Sequence, residues 1–231
     1  MRSRVMAFLF AVLVLSPLVR AAEPPFQPGE KILYRVKQAG IKVGDATLEF
    51  QGEIYHEGQK YLLVVFHADG FNFYDEERIY LDPKTWRPRR VVRDLNIFGK
   101  KEKILEEYSE EEGVVHITKE VPGYSASVQT LGKGRPLENI YGFIYRYRLG
   151  EPLVKGQGLA MALPTVDIQM SALKETELSV GKKRYSAMLL KSVPDKYSIW
   201  FDQGPKRLPL RIAGAIGLAN TVMTMVGVEE K

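Results

Sequence analysis

The segment DATLEFQGEI, Asp45 to Ile54, decides the fold. Ala46, Leu48, Phe50 and Ile54 alternate with Asp45, Thr47, Glu49, Gln51 and Glu53. Side chains of a strand point to opposite faces in turn, so this is a strand with one dry face and one wet one. Glu57-Gly58 then marks a turn, and Lys60 to Ala68 reads as a strongly apolar return strand. Working outward, the same rule predicts strands at Ile32 to Gln38, Glu77 to Leu81, Arg89 to Leu95 and Gly113 to Lys119. The second half adds Tyr124 to Leu131, Val166 to Val180, Arg184 to Val193, Lys196 to Phe201, Leu208 to Ala213 and Leu218 to Val228. Gly or Pro separates most of them, as antiparallel hairpins require.

One segment breaks the period of two. Leu137, Ile140, Tyr141, Ile144 and Tyr145 recur at helical spacing after Pro136, and Gly150 closes the run. This predicts a single helix whose tyrosines pack on a sheet with their phenol ends near water. The charged span Ile104 to Glu112 fits a strand end, a short helix or a loop equally well. The expected fold is mainly β, a strongly curved antiparallel sheet or incomplete barrel with one mid-chain helix. No linker-like shift in composition divides residues 22–231, which are expected to form a single β-rich domain.

Residues 1–21 read as a signal peptide. Arg2 and Arg4 precede an apolar run from Val5 to Val19, broken only by Ser16 and Pro17, and Val19-Arg20-Ala21 supplies small residues at the positions a signal peptidase reads. The run is shorter than the ~20 residues that cross a bilayer core. The chain has no cysteine, which excludes an N-terminal lipid-bearing Cys, disulfides, Cys nucleophiles and thiolate metal sites. The expectation is an exported, periplasmic, soluble protein that is not lipidated and has no transmembrane span once the signal is removed. Of the 33 Lys and Arg, three fall within the signal and none of the 28 Asp and Glu does, so the net charge drops from +5 to +2. A nucleic-acid partner loses its electrostatic support.

Two stretches resemble a known family. FQPGEKILYRVKQAGIKVGDATLEF, Phe26 to Phe50, carries Phe26, Gly29-Glu30, Tyr34, Gly40-Ile41 and Gly44. YSIWFDQGPKRLPLRI, Tyr197 to Ile212, carries Trp200, Asp202, Arg207 and Pro209. Together they resemble the opening and closing signatures of the bacterial exported family DUF3108. In the middle, Asn139-Ile140-Tyr141-Gly142 ahead of Tyr145-Arg146-Tyr147-Arg148 departs from the family pattern. The resemblance implies a periplasmic β-rich protein with no established reaction. Structural roles also account for these residues: Gly29 and Gly44 suit turns or bulges, Pro209 a strand start, and Trp200 a core.

Catalytic signatures are sparse. His56, His67 and His116 are scattered and offer no ligand pair on one element, and no Gly-x-Ser-x-Gly elbow occurs. No cofactor is expected. Asp75-Glu76-Glu77, after FNFY, reads as a solvated hairpin tip, or as carboxylates acting on a glycan. Arg87, Arg89, Arg90 and Arg93 follow Trp86 and read as charge balance for nearby Glu, or as contacts to lipid phosphates or an anionic polysaccharide. Leu62 to Phe66 is apolar on both faces, as is the last segment, where Val222, Val226 and Val228 alternate with Met223 and Met225. Such strands lie under the helix or line an interior.

The leading expectation is therefore a non-catalytic carrier for an apolar or amphipathic envelope molecule. Its candidate binding residues are Phe71, Phe73, Tyr74, Tyr141, Tyr145, Arg146, Met223 and Met225. An envelope scaffold that binds a protein through a sheet edge, and a glycan-active enzyme, are the alternatives.

Overall fold

The computed structural model describes residues 24–216 and 220–230, and the expected signal peptide lies outside them. Fourteen strands make one antiparallel sheet. The first eight run as a meander: β1 (Glu30–Gln38), β2 (Ile41–His56), β3 (Gln59–Gly70), β4 (Phe73–Leu81), β5 (Pro88–Ile97), β6 (Lys100–Ser109), β7 (Val114–Glu120) and β8 (Ser127–Gly132). Helix α1 (Ile140–Leu149) follows. A second meander comprises β9 (Gly158–Ala162), β10 (Asp167–Val180), β11 (Lys183–Val193), β12 (Ser198–Asp202), β13 (Pro209–Ala213) and β14 (Thr221–Glu229). In space the order runs from β8 back to β1, then from β14 back to β9. The first and last strands are therefore neighbours, with Lys31 opposite Glu229 and Gln38 opposite Thr221.

Edge strands β8 and β9 do not pair with each other. The connection from β8 to α1 bridges the gap instead. The Lys133 N–H donates to the Gly113 carbonyl and the Glu138 N–H to the Ala162 carbonyl, each at 2.8 Å. Arg135 and Lys133 both pair with Asp167, at 3.1 and 3.7 Å. The sheet thus curls until its two edges are strapped together without being zipped, which is the incomplete barrel expected from the strand pattern.

Most strands follow the predicted alternation, but β9 is not among those predicted, and the strand expected from Tyr124 starts only at Ser127. Lys100 to Ser109, half of which reads ambiguously, is a full strand, because Glu102 and Glu106 share a face with Ile104 and Tyr108 and mask the period of two. The strand predicted from Glu77 begins at Phe73. Asp75 and Glu77 consequently lie within β4 on its inward face, and the reading of a solvated hairpin tip is corrected.

Helix α1 fills the inside of the curl. Asn139 caps it, its side-chain oxygen accepting from the Tyr141 N–H at 2.9 Å and the Gly142 N–H at 3.2 Å. Eight of its ten residues are buried, around the whole circumference. An apolar helix surrounded on all sides belongs to an interior. Tyr141 stacks on Phe66 of β3 at 4.2 Å, Tyr145 meets Phe26 edge-on at 4.9 Å, and Tyr147 lies 4.2 Å from Phe201 of β12. The expected wet phenol ends are thus corrected: the Tyr141 hydroxyl donates to the Ala215 carbonyl, and the Tyr147 hydroxyl accepts from the Leu153 N–H. At Gly142 a Cβ would stand 2.9 Å from the Leu81 side chain, so glycine lets the helix settle on β4.

The stretches Phe26 to Phe50 and Tyr197 to Ile212 meet the core at the same place. The Tyr34 hydroxyl donates to the Pro209 carbonyl at 2.9 Å. Glu30 receives two hydrogen bonds from Arg148 of α1, whose Nε donates to the Lys206 carbonyl at 3.1 Å. Arg148 also lies over the Phe26 ring at 4.6 Å. Gly44 sits beside a bulge in β2, where a Cβ would come within 2.1 Å of the Asp69 carbonyl oxygen, so only glycine fits. Among the described residues no helix is long and apolar enough to cross a membrane.

Candidate functional site

Two of the pockets that combine charge with space hold residues the sequence singles out. The first is interior. Cross-strand pairing sets Glu77 of β4 opposite Arg93 of β5, and Asp75 lies two positions along the same face. Arg93 grips Asp75 with both ends of its guanidinium, at 2.6 and 2.7 Å, and stands 3.8 Å from Glu77. The Asn139 amide, whose oxygen caps α1, donates to Glu77 at 2.6 Å. Burial pushes the Glu77 carboxyl up to about 7, against the lowering pull of Arg93. Burial also raises Glu106, although the Tyr108 hydroxyl bond and Arg93 oppose it. A cavity of about 250 Å³ lies among Glu77, Arg93, Glu106, Glu138 and Tyr197.

The second place lies on the outer face. Strand alternation turns Tyr74, Asp94, Asn96, Lys101 and Lys103 outward from β4, β5 and β6, in register with one another. The connection between β7 and β8 contributes Val121, Pro122 and Tyr124. Together they form an open groove of about 820 Å³. Its walls are mainly apolar, and Lys101, Lys103, Asp94, Glu102 and Glu120 supply charge, with Lys103 opposite both Asp94 and Glu120 in the strand register.

The sequence-predicted binding residues divide between the core and this end of the sheet. Tyr74 lines the groove, and Phe71 stands exposed in the adjacent turn between β3 and β4. Phe73 is buried beneath that turn, its ring against Gly44 and Gly70. Tyr141, Tyr145, Met223 and Met225 are core residues. Arg146 pairs with Glu138 at 2.6 Å. These eight do not converge on one pocket.

The arginine run is used up by intramolecular pairs. Arg87 meets Glu110 and Glu138, Arg89 meets Asp82 and Glu110, Arg90 meets Glu57 and Glu107, and Arg93 meets Asp75 and Glu77. Charge balance is therefore the reading the geometry favours for it.

Sequence reasoning names Asp75, Glu77 and Arg93 but not their convergence, because the interior cluster draws its members from β4, β5, β6 and the cap of α1. It also missed the groove residues Val121, Pro122 and Tyr124: the strand expected from Tyr124 begins only at Ser127, which leaves Tyr124 in the connection. No family model, curated protein or solved structure matches the chain.

Proposed function

We propose that this is a non-catalytic binding protein of the cell envelope that holds an amphipathic molecule in the groove between β4–β6 and the β7–β8 connection. Export by the N-terminal segment and kinship with DUF3108 are part of the proposal. The observation that carries it is the make-up of that groove: an open trough of about 820 Å³ lined by Tyr74, Val121, Pro122 and Tyr124 together with Lys101, Lys103, Asp94, Glu102 and Glu120. Apolar walls with a few placed charges suit a molecule with one greasy and one polar end. The interior offers less room for such a ligand, since α1 occupies the concavity. A glycan-cleaving reading has less support, because Asp75 is clamped by Arg93 and both it and Glu77 are buried.

Native mass spectrometry of the purified protein, with and without added lysophosphatidylethanolamine, tests the reading. A one-to-one complex is expected, weakened at least tenfold by Val121→Asp. Absence of a complex, or indifference to Val121→Asp, sinks it.

A further inference from the structure

Every second connection of the first meander lies at the same end of the sheet: those between β1 and β2, β3 and β4, β5 and β6, and β7 and β8. Each carries, or in the case of Ile41 at the start of β2 adjoins, a large apolar side chain facing solvent: Ile41 is 71 % exposed, Phe71 83 %, Phe98 68 % and Tyr124 79 %. Alternate turns of a meander are spaced by two strands, roughly 10 Å, so the first three tips form a row roughly 20 Å long.

This row is built, not ragged. The Phe71 N–H donates to the Val43 carbonyl at 3.1 Å, and the Phe98 N–H to the Asn72 carbonyl at 2.8 Å. The β3–β4 turn is thus tied through its backbone to the start of β2, and the β5–β6 turn to the β3–β4 turn. The same bonds satisfy two amides that would otherwise resist leaving water. Gly44 and Gly70 pack against each other directly beneath, with no room for a Cβ.

Phe98 is the most telling member. Its φ is +51°, a conformation unfavourable for a bulky side chain and better suited to Asn or Gly. Exposure and backbone both work against a phenylalanine there, so its value lies outside the folded monomer.

Charge selects the occupant. Within these four connections and two residues to either side stand Lys37, Lys42, Lys100, Lys101 and Lys119, against Asp69 and Glu120; Lys42 is paired with Asp45 and Lys119 with Glu102, each at 2.7 Å, which leaves Lys37, Lys100 and Lys101 without an ion-pair partner among the described residues. A rigid apolar ridge with an excess of lysines complements an anionic lipid surface, with the rings among the acyl ends of the headgroups and the ammonium groups at the phosphates. The same excess disfavours a second copy meeting it ridge to ridge.

We propose that this rim docks the protein onto the surface of an anionic phospholipid bilayer. The proposal goes beyond ligand binding in the adjacent groove and does not depend on it.

Co-flotation with vesicles of phosphatidylglycerol and phosphatidylethanolamine, compared with phosphatidylcholine alone, tests it. Binding is expected to the anionic vesicles. Ile41→Ser/Phe71→Ser/Phe98→Ser should weaken it roughly 100-fold, and Lys100→Gln/Lys101→Gln roughly 30-fold. Tyr55→Ser, at the opposite end, should leave it unchanged. Phe98→Trp supplies a readout in an otherwise intact protein: the emission of the added indole should shift to the blue and be quenched by brominated lipid. The proposal is overturned by absence of binding to anionic vesicles, by an added-indole signal indifferent to lipid, or by a lipid-independent dimer that the triple substitution dissolves.

Discussion

Arg148 and Glu30 stand 118 positions apart in the chain and meet inside the protein through two side-by-side hydrogen bonds of 2.6 and 2.9 Å, neither side chain reaching solvent. This pair pins the last turn of α1 to the start of β1. A buried ion pair gives little net stability over a well-packed apolar pair, yet removing one partner strands the other charge. Glu30→Leu or Arg148→Met alone should each cost about 3–5 kcal/mol in urea unfolding. The double variant should recover most of that loss. Additive losses would show that the pair does not act as a unit.

Glu77 makes stability depend on pH in a direction opposite to most carboxylates. Its native carboxyl titrates at about 7, against 4.5 for an ordinary glutamate. Between those values the folded protein retains a proton that the unfolded chain has released, so stability falls as pH rises through this window and levels off above 7. The full effect is on the order of 3 kcal/mol. Glu77→Gln should flatten that part of the profile and be more stable than the parent at pH 8, as urea midpoints at pH 5 and pH 8 would reveal.

Asn139 serves two partners at once, its oxygen on the helix amides and its nitrogen on Glu77. Asn139→Ala should cost about 1–2 kcal/mol through the lost cap. It should also move the Glu77 titration still higher, since the amide bond favours the charged form. A carboxyl titration followed by carbon-detected NMR that stays in place would contradict the link.

Phe98 is predicted to be held against the protein's own stability. Phe98→Asn should stabilise the fold by about 1 kcal/mol by relieving a positive φ. Thermal unfolding checks the sign, and a destabilised variant would mean that the ring packs within the monomer.

Much of the sheet can be read from residues such as Ala46, Leu48 and Phe50, because alternation is local and needs no partner to be seen. The helix is legible for the same reason, from Leu137 to Tyr145. Its burial is less so: Arg146 and Arg148 in its last turn imply a wet face, and only Glu138 and Glu30 neutralise them. Three consecutive acids at 75–77 suggest solvent for a similar reason. Arg93, 18 positions from Asp75, reverses that reading, and such a partner is defined by register between strands, not by neighbours in the chain. The groove was half visible, through Tyr74, whereas Tyr124 and Pro122 acquire meaning only once the β7–β8 connection folds over β5 and β6.

The adjacency of β1 and β14 has a consequence for how the molecule comes into being. Until Thr221–Glu229 is made, β1 and β13 each present a bare hydrogen-bonding edge, and the two meanders are joined only through the loops around α1. Synthesis from the N-terminus therefore leaves a half-sheet waiting for its keystone, an interval in which open edges can recruit other chains. Loss of those nine residues would do more than shorten the sheet: it would divide it down the middle.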